Sequence, residues 1–320
     1  MSALRVSIVT NAKEDTKAYT DRIFPSDMEV LLQTEQEMLD DIANIDVLIP
    51  GHITVGAELI AKAKSLKLIH CGTGYNNVDL DAASKQGAYV AVTPNVAAQS
   101  VAELVFAMLL TLSKRINTFD ATMKSGGWKT TDFINVPELK GKNFGVVGFG
   151  NIGKASARIA RGFGMNIIAH DPHIEINEPD VRSVSFDELL AESDYITLHV
   201  LLTPETKGLM STPQFEKMKD TGVVINASRG PVVDEAAIID ALKNGKIGGA
   251  CLDVFEKEPL AADSALRSLD NLILTPHIAY CANEALAGRY QFFADNCSLV
   301  GSGQQPNMAV NADKVSSNAA

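Results

Sequence analysis

Short apolar runs alternate with helical patterns along the first hundred residues of the chain. Stretches such as AELIAKAKS and LDAASKQG separate these runs. Because the strands of a parallel sheet are buried on both faces, they read as continuous apolar runs, and the pattern predicts a βαβ series. The predicted strands are RVSIVT (5–10), EVLLQT (29–34), DVLIPG (46–51), KLIHCG (67–72) and AYVAVTP (88–94).

A second alternating series begins at residue 143, after a long apolar helix predicted at 100–115 and an aperiodic stretch at 125–142. The predicted fold class is therefore α/β with two doubly wound parallel sheets, and functional groups are expected at the carboxyl ends of strands. The polar tail NADKVSSNAA (311–320) is predicted to be unstructured and without a role. The strands of the second series are predicted at NFGVVG (143–148), NIIAHD (166–171), YITLHV (195–200), GVVINAS (222–228), GACLDV (249–254) and NLILTP (271–276).

The composition argues against several classes of protein. The net charge is −11 at pH 7 and the chain has no basic stripe, which disfavours nucleic-acid and anionic-membrane partners. The longest apolar stretch, 101–112, is shorter than the roughly 20 residues that cross a bilayer. The four cysteines lack metal-type spacing, so we expect reduced thiols and no metal site. The start of the chain lacks a signal-peptide pattern, which favours a cytoplasmic location.

A glycine-rich motif follows the first strand of the second series. GFGNIG contains Gly148, Gly150 and Gly153, and Asn151 and Ile152 open the helical run behind it. In this context the first glycine permits a tight turn, the second lets the backbone approach a pyrophosphate, and the third allows close packing of helix and strand. The motif predicts a dinucleotide site, although glycine turns also occur for packing alone.

An acidic residue ends the next predicted strand. Asp171 lies 23 residues after Gly148, close to the spacing of roughly 20 that is typical of a carboxylate that binds an adenosine ribose. Such a carboxylate accepts hydrogen bonds from ribose hydroxyls and repels a 2'-phosphate, which favours NAD over NADP. The alternative is a solvated acid at a strand end.

Three further polar residues follow predicted strands of the same series. Arg229 can hold a carboxylate with two parallel hydrogen bonds and polarise an adjacent carbonyl. His277 can exchange a proton near neutral pH, and Glu258 can fix the tautomer of that imidazole. Each residue could instead be a surface charge or a structural histidine. Their shared placement at strand ends favours a single site that binds an anion and exchanges a proton.

These residues belong to segments through which the chain resembles the D-isomer-specific 2-hydroxyacid dehydrogenase family. The resemblance implies a flavodoxin-like substrate domain with an inserted Rossmann domain that binds NAD. It also implies reversible hydride transfer between nicotinamide and a D-2-hydroxy acid or 2-oxo acid. The matching segments, in the family's order, are CGTGYNNVDL (71–80), SVAELV (100–105), VVGFGNIG (146–153), HVLLTPETKGL (199–209), NASRGPVVDEAAI (226–238), LDVFEKEP (252–259) and TPHIA (275–279).

The resemblance also implies roles for single residues. His277 would be the general acid and base, Glu258 would tune it, and Arg229 would bind and orient the substrate. The backbone of Gly72, Thr73 and Gly74 would hold the substrate carboxylate, since glycine-rich turns can present N–H donors.

The implied cofactor contacts are spread over three loops. Ala227 and Asp253 would orient the nicotinamide carboxamide, Thr206 would lie near the pyrophosphate, and Pro204 near the adenine. Asp253 is equally well explained as a strand-end cap, and Pro204 as a plain turn residue.

The family layout implies a substrate domain at 1–98 plus 289–320 and an NAD-binding domain at 99–288. The SGGW segment with Trp128 would belong to the arm of a homodimer, although Trp128 could also cap a core.

Several positions bear on the substrate. His52 replaces the arginine expected for phosphorylated hydroxyacids, Thr73 replaces the lysine of a phosphite enzyme, and the formate branch lacks an equivalent of Glu258. Tyr280 resembles the aromatic position of D-lactate enzymes, or simply packs against a helix start. The expected substrate is a small unphosphorylated 2-oxo acid. The alternatives are an NAD-sensing corepressor-like binding protein and a phosphoglycerate-type dehydrogenase.

Overall fold

The computed structural model describes residues 3–93, 96–128 and 136–318. The chain divides into two compact units, Met1–Val96 with Ala282–Ala320 and Ala97–Cys281, which we call the first and the second unit. The part of the predicted arm at 129–135 lies outside the described residues.

The described part of the first unit contains a five-stranded parallel sheet in the order β2-β1-β3-β4-β5. This is the flavodoxin-like order, and each predicted apolar run of the first series overlaps one strand, with β1 and β2 each beginning one residue earlier than predicted. The strands are β1 Leu4–Val9, β2 Met28–Gln33, β3 Val47–Ile49, β4 Leu68–His70 and β5 Tyr89–Ala91. The helices are α1 Lys13–Ile23, α2 Glu35–Asp41, α3 Ala57–Lys62, α4 Leu80–Gln86, α11 Asn283–Gly301 and α12 Ala312–Asn318.

Alternating side chains place apolar residues on both faces of this sheet. In β3, Leu48 packs in the cluster on the side of α2, α3 and α4, while Val47 and Ile49 pack in the cluster that contains α11 side chains.

Capping residues fix where helices of this unit begin. Thr34 and Glu37 form a reciprocal capping box at α2, which satisfies backbone donors at the helix start.

The prediction that the tail is unstructured is wrong, because residues of the tail form α12. Asn311, before the helix, is buried, and its side chain accepts a hydrogen bond from the Val90 N–H and donates to the Ala88 carbonyl and the Ser84 hydroxyl. Lys314 forms an ion pair with Asp81. The tail therefore covers the edge strand β5, a role that polar composition conceals because its contacts are long-range hydrogen bonds.

The described part of the second unit contains a seven-stranded parallel sheet in the order β12-β11-β10-β9-β6-β7-β8. The strand order reverses between β9 and β6, which is where a doubly wound sheet binds its ligand. The strands are β6 Asn143–Val147, β7 Asn166–His170, β8 Val181–Ser183, β9 Tyr195–Leu198, β10 Val223–Asn226, β11 Gly249–Leu252 and β12 Leu272–Leu274. The helices are α5 Ala98–Ser113, α6 Ile116–Lys124, α7 Asn151–Gly162, α8 Phe186–Glu192, α9 Thr212–Lys217 and α10 Glu235–Lys243.

Helices cover both faces of this sheet. Side chains of α8, α9 and α10 pack on one face, and α5 and α7 contact each other on the other, where the rings of Phe106 and Phe144 lie 5.2 Å apart. The predicted α/β fold class is confirmed. Strand β8 was not predicted, because this edge strand has only one buried residue, Val181, and shows no apolar run.

The described residues contain no helix that is long and apolar enough to cross a membrane, and no group of side chains that could hold a metal ion. All four cysteines are free thiols, and only Cys281 is exposed. Burial raises the pKa of Cys71 and Cys297 to about 12, which keeps these two thiols protonated and inert.

The buried His70 and the half-buried His199 lead us to predict a loss of stability in mild acid. Burial lowers the pKa of His70 to about 4 and of His199 to about 3, from an ordinary value of 6.5. Between pH 7.5 and 5.5 the unfolded chain takes up protons that the folded chain does not, so the free energy of unfolding falls as the pH falls. We expect a loss of about 1 kcal/mol per histidine, measured by urea unfolding.

Two variants assign this loss. His199→Gln should remove part of the pH dependence, whereas His173→Asn, at an exposed position, should retain all of it. A free energy of unfolding that is flat from pH 7.5 to 5.5 would contradict the assignment of neutral buried imidazoles.

Candidate active site

The glycine-rich turn brings three backbone segments close together. Gly148 has a φ of +89°, and a Cβ there would lie 2.6 Å from the His199 carbonyl oxygen. A Cβ at Gly153 would lie 2.3 Å from the Gly148 oxygen, so larger residues do not fit at either position. Gly150 precedes α7 and has open space where its Cβ would be. Backbone N–H groups at the start of α7 can therefore be approached closely by an anion.

Asp171 ties the end of β7 to this turn. One carboxylate oxygen accepts a hydrogen bond from the Phe149 N–H at 2.8 Å, and the other accepts from the N–H groups of His173 and Ile174. A carboxylate offers about four acceptor positions, so capacity remains for a hydroxyl group. Asp171 thus caps its own loop, and this arrangement is compatible with binding a ribose.

The TPETKG turn after β9 is organised by threonine hydroxyls. Thr206 accepts a hydrogen bond from the Thr203 N–H at 2.8 Å and donates one to the Leu201 carbonyl. Pro204 is exposed, and Leu201 is 72% exposed, which is unusual for a large apolar side chain. The turn therefore presents an apolar surface on the loop that follows β9, next to β6 in the sheet.

Arg229 lies in a tight turn after β10. Its guanidinium donates a hydrogen bond from Nη1 to the Ser228 carbonyl at 2.7 Å, and burial lowers its pKa while the charge of Glu258 opposes that shift. Gly230 allows the chain to pass the Phe255 backbone, since a Cβ would lie 1.8 Å from that carbonyl oxygen. Asn226, fully buried, makes side-chain hydrogen bonds to Ser228 and to the Arg229 carbonyl.

Glu258 and His277 form a hydrogen-bonded pair. Glu258 Oε2 lies 2.7 Å from His277 Nδ1, and Glu258 Oε1 accepts from the Phe255 N–H at 3.1 Å. Accepting from Nδ1 fixes the tautomer and orientation of the ring and leaves Nε2 as the ring atom for proton exchange. The ring of Tyr280 meets the His277 ring edge to face, with centroids 6.2 Å apart.

Asp253 holds the His277 loop in place. Its side chain has no exposed surface, and its oxygens accept hydrogen bonds from the Thr275 hydroxyl and from the N–H groups of Ile278 and Ala279. His277 itself has a φ of +54°, a left-handed conformation that costs free energy in a residue with a Cβ. Asp253 is therefore a structural anchor of this loop, in agreement with the interpretation that it caps a strand end. This role does not depend on a contact with the nicotinamide.

Most of the predicted site residues lie in the second unit. The carboxyl ends of β10, β11 and β12, which are neighbours in the sheet, carry or precede Ala227, Arg229, Asp253 and His277. Gly72, Thr73 and Gly74 follow β4 in the first unit, where the Gly72 carbonyl accepts from the Thr93 N–H at 2.9 Å. Thr73 is exposed.

Three residues of this region were not singled out by the sequence. Asn226 and His199 sit in apolar strand segments, where one polar residue gives no pattern. Leu201 was not distinguished from other leucines, although an apolar residue directly after a strand end of the nucleotide sheet is a usable signal. His199 Nε2 lies 3.0 Å from the hydroxyls of Ser156 and Thr197, which joins α7 to β9 under the glycine turn.

Together these features define an α/β nucleotide-binding unit with a histidine–carboxylate pair and a nearby guanidinium at its strand ends. Comparison with known proteins agrees. Residues 106–279 match the family described as D-isomer specific 2-hydroxyacid dehydrogenase, NAD binding domain. The glyoxylate reductase of Thermococcus litoralis is 40% identical over 292 residues, which is 88% of each chain.

Two further comparisons extend this result. The D-3-phosphoglycerate dehydrogenase of Archaeoglobus fulgidus is 38% identical over 90% of this chain, but the match spans only 56% of that protein. The structure of the Aquifex aeolicus D-lactate dehydrogenase complexed with NAD and lactic acid superposes with a TM-score of 0.84 at 31% identity, covering 93% of this chain and 96% of that one.

The chain belongs to the D-isomer-specific 2-hydroxyacid dehydrogenase family, and its second unit contains the NAD-binding domain of that family. The predicted family and the predicted cofactor, NAD, are confirmed.

The anchoring role of Asp253 predicts a large effect of Asp253→Asn. The amide keeps one acceptor oxygen but turns an NH₂ donor toward a backbone N–H or hydroxyl donor in a fully buried position. We expect a loss of about 2–4 kcal/mol in the free energy of unfolding, measured with urea.

The matched control is Asp270→Asn, an exposed position just before β12, which should change stability by less than about 0.5 kcal/mol. Equal stability of Asp253→Asn and the wild type would contradict the anchor.

Proposed function

We propose that the protein is an NAD-dependent oxidoreductase that interconverts a small unphosphorylated 2-oxo acid and its D-2-hydroxy acid. The observation that carries this proposal is the 2.7 Å contact between Glu258 and His277 beside Arg229, in an NAD-binding domain of this family. His277 can then exchange a proton while the guanidinium of Arg229 binds the carboxylate of the substrate.

The cofactor requirement fits the residues of the second unit. The N–H groups from Gly150 to Gly153 at the start of α7 would bind the pyrophosphate, and the Asp171 carboxylate would bind ribose hydroxyls. In the turn after β9, the exposed Leu201 and Pro204 would cover the adenine and Thr206 would lie near the pyrophosphate. Ala227 and Asp253 would orient the carboxamide. No arginine follows Asp171 to pair with a 2'-phosphate, which supports NAD over NADP.

Bound NADH would supply the hydride for reduction of the 2-oxo acid, and bound NAD+ would accept it in the reverse reaction. Arg229 would bind the substrate carboxylate through paired N–H groups and polarise the neighbouring carbonyl. As C2 of the 2-oxo acid accepts the hydride, His277 would donate the proton on Nε2 to the carbonyl oxygen, and the reverse reaction returns it. Glu258 would stabilise the positive charge on the imidazole before the proton leaves.

The substrate class is inferred from charge. The loops 51–56 and 71–79 of the first unit, GHITVG and CGTGYNNVD, contain no lysine or arginine, so they offer no fixed cation to a phosphate group. We propose that the first unit binds substrate through the backbone of Gly72, Thr73 and Gly74, and that Tyr280 limits substrate size. A phosphoglycerate-type enzyme is the second candidate, because several similar proteins are D-3-phosphoglycerate dehydrogenases.

We also propose a homodimer. Ile116, Met123 and Trp128, in and just after α6, are 51%, 52% and 75% exposed, and such an apolar surface is typical of an interface. Light scattering measures the particle mass directly, and the mass of a monomer would refute the dimer.

The cytoplasmic location stays a prediction.

The assigned proton donor predicts a selective loss of turnover in His277→Asn. Asparagine tolerates the left-handed backbone at this position but cannot exchange a proton at neutral pH. In an NADH absorbance assay with pyruvate, glyoxylate and hydroxypyruvate we expect kcat to fall by a factor of about 10²–10⁴. NADH binding, followed by fluorescence, should be unchanged.

His173→Asn, the same substitution at an exposed histidine of the same unit, should keep full activity. Wild-type-like turnover in His277→Asn would refute the assigned acid. Tight NADH binding by the wild type without reduction of any 2-oxo acid would favour the corepressor-like alternative, and selective oxidation of 3-phosphoglycerate would favour the second candidate.

A further inference from the structure

Asn226 is the last residue of β10, and its side chain is fully buried at the carboxyl edge of the sheet. Its oxygen accepts hydrogen bonds from the Ser228 N–H at 3.0 Å and the Ser228 hydroxyl at 2.8 Å. Its amide nitrogen donates to the Arg229 carbonyl at 3.0 Å. A backbone N–H can only donate and a carbonyl can only accept, so the orientation of the amide is fixed by its partners.

These bonds bracket the residue that would bind the substrate. Asn226 holds the Ser228 N–H on one side of Arg229 and the Arg229 carbonyl on the other. The guanidinium in turn donates from Nη1 to the Ser228 carbonyl at 2.7 Å. The backbone of Arg229 and the direction of its side chain therefore both depend on the turn that Asn226 closes.

We propose that Asn226 is a positioning residue that orients Arg229 for the substrate carboxylate. This inference rests on the proposed function, and it adds a residue that does not itself touch the substrate. Bidentate binding of a carboxylate requires a guanidinium plane held within a narrow range of directions, so a small rotation of Arg229 weakens substrate binding. The Asn226 side chain makes no proposed nucleotide contact itself, and of the proposed nucleotide-binding residues only Ala227 lies within its turn, so NADH binding should depend on Asn226 much less than substrate binding does.

Asn226→Asp tests the proposal with almost no change in volume. The aspartate keeps an acceptor for Ser228 but places a second oxygen against the Arg229 carbonyl, where the amide was a donor. We expect KM for the 2-oxo acid to rise by about tenfold, with the Kd of NADH changed less than about twofold. Asn271→Asp, at the amino end of β12, makes the same chemical change away from the turn and should leave KM unchanged.

A double-mutant cycle separates positioning from general damage to the fold. If Asn226 acts through Arg229, then Asn226→Asp should change kcat/KM by less than about twofold in an Arg229→Lys background. The same four variants can be compared without turnover. Fluorescence measures how tightly each NADH complex binds oxamate, an unreactive analogue of a 2-oxo acid. Ser228→Ala removes only the hydroxyl and should give a smaller rise in KM than Asn226→Asp.

The outcomes are distinguishable. Independent effects of the two substitutions, or an unchanged KM in Asn226→Asp, would overturn the positioning role while the wild type still reduces 2-oxo acids. A wild type that reduces no 2-oxo acid would instead overturn the proposed function.

Discussion

Three neighbouring strand ends in the second unit are joined by hydrogen bonds of Asn226 and Asp253, two polar residues that are fully buried. The Asp253 N–H donates to the Asn226 carbonyl at 2.9 Å, and the His277 N–H donates to the Asp253 carbonyl at 2.8 Å. The side chains of Asn226 and Asp253 then hold the turns that carry Arg229 and His277. A buried polar group without its partners costs about 1–3 kcal/mol, so these turns have little freedom to rearrange.

This constraint explains how the site tolerates an unfavourable backbone. A left-handed conformation at His277 costs on the order of 1–3 kcal/mol and persists only where the surroundings determine it. The hydrogen bonds that Thr275, Ile278 and Ala279 donate to Asp253 fix the backbone on both sides of His277 and so hold it in this conformation. In this arrangement the imidazole reaches Glu258, so the proton-exchanging pair depends on a residue that need not take part in the chemistry.

The sequence was sufficient for the elements that bury apolar surface. Each of the eleven predicted runs overlaps one strand, and nine of them contain it entirely, because a parallel sheet requires continuous apolar segments. Strand β8 and helix α12 were not predicted, because both are short. β8 is held by pairing with β7 at the edge of the sheet, and α12 follows a segment held by long-range hydrogen bonds such as those of Asn311. The Glu258–His277 pair was anticipated from the chemistry of polar residues at strand ends and again from the family resemblance. Asn226 was not anticipated, because its hydrogen-bond partners are visible only once the turn is folded.

Hydride transfer from NADH to C2 of a 2-oxo acid is tested most directly by following an isotope. NADH carrying deuterium at both C4 positions is incubated with pyruvate or hydroxypyruvate, whose reduction creates a stereocentre at C2, and the product is examined by mass spectrometry and chiral chromatography. We expect a D-2-hydroxy acid with deuterium bound to C2. An L product, or a product whose C2 hydrogen comes from water, would contradict it.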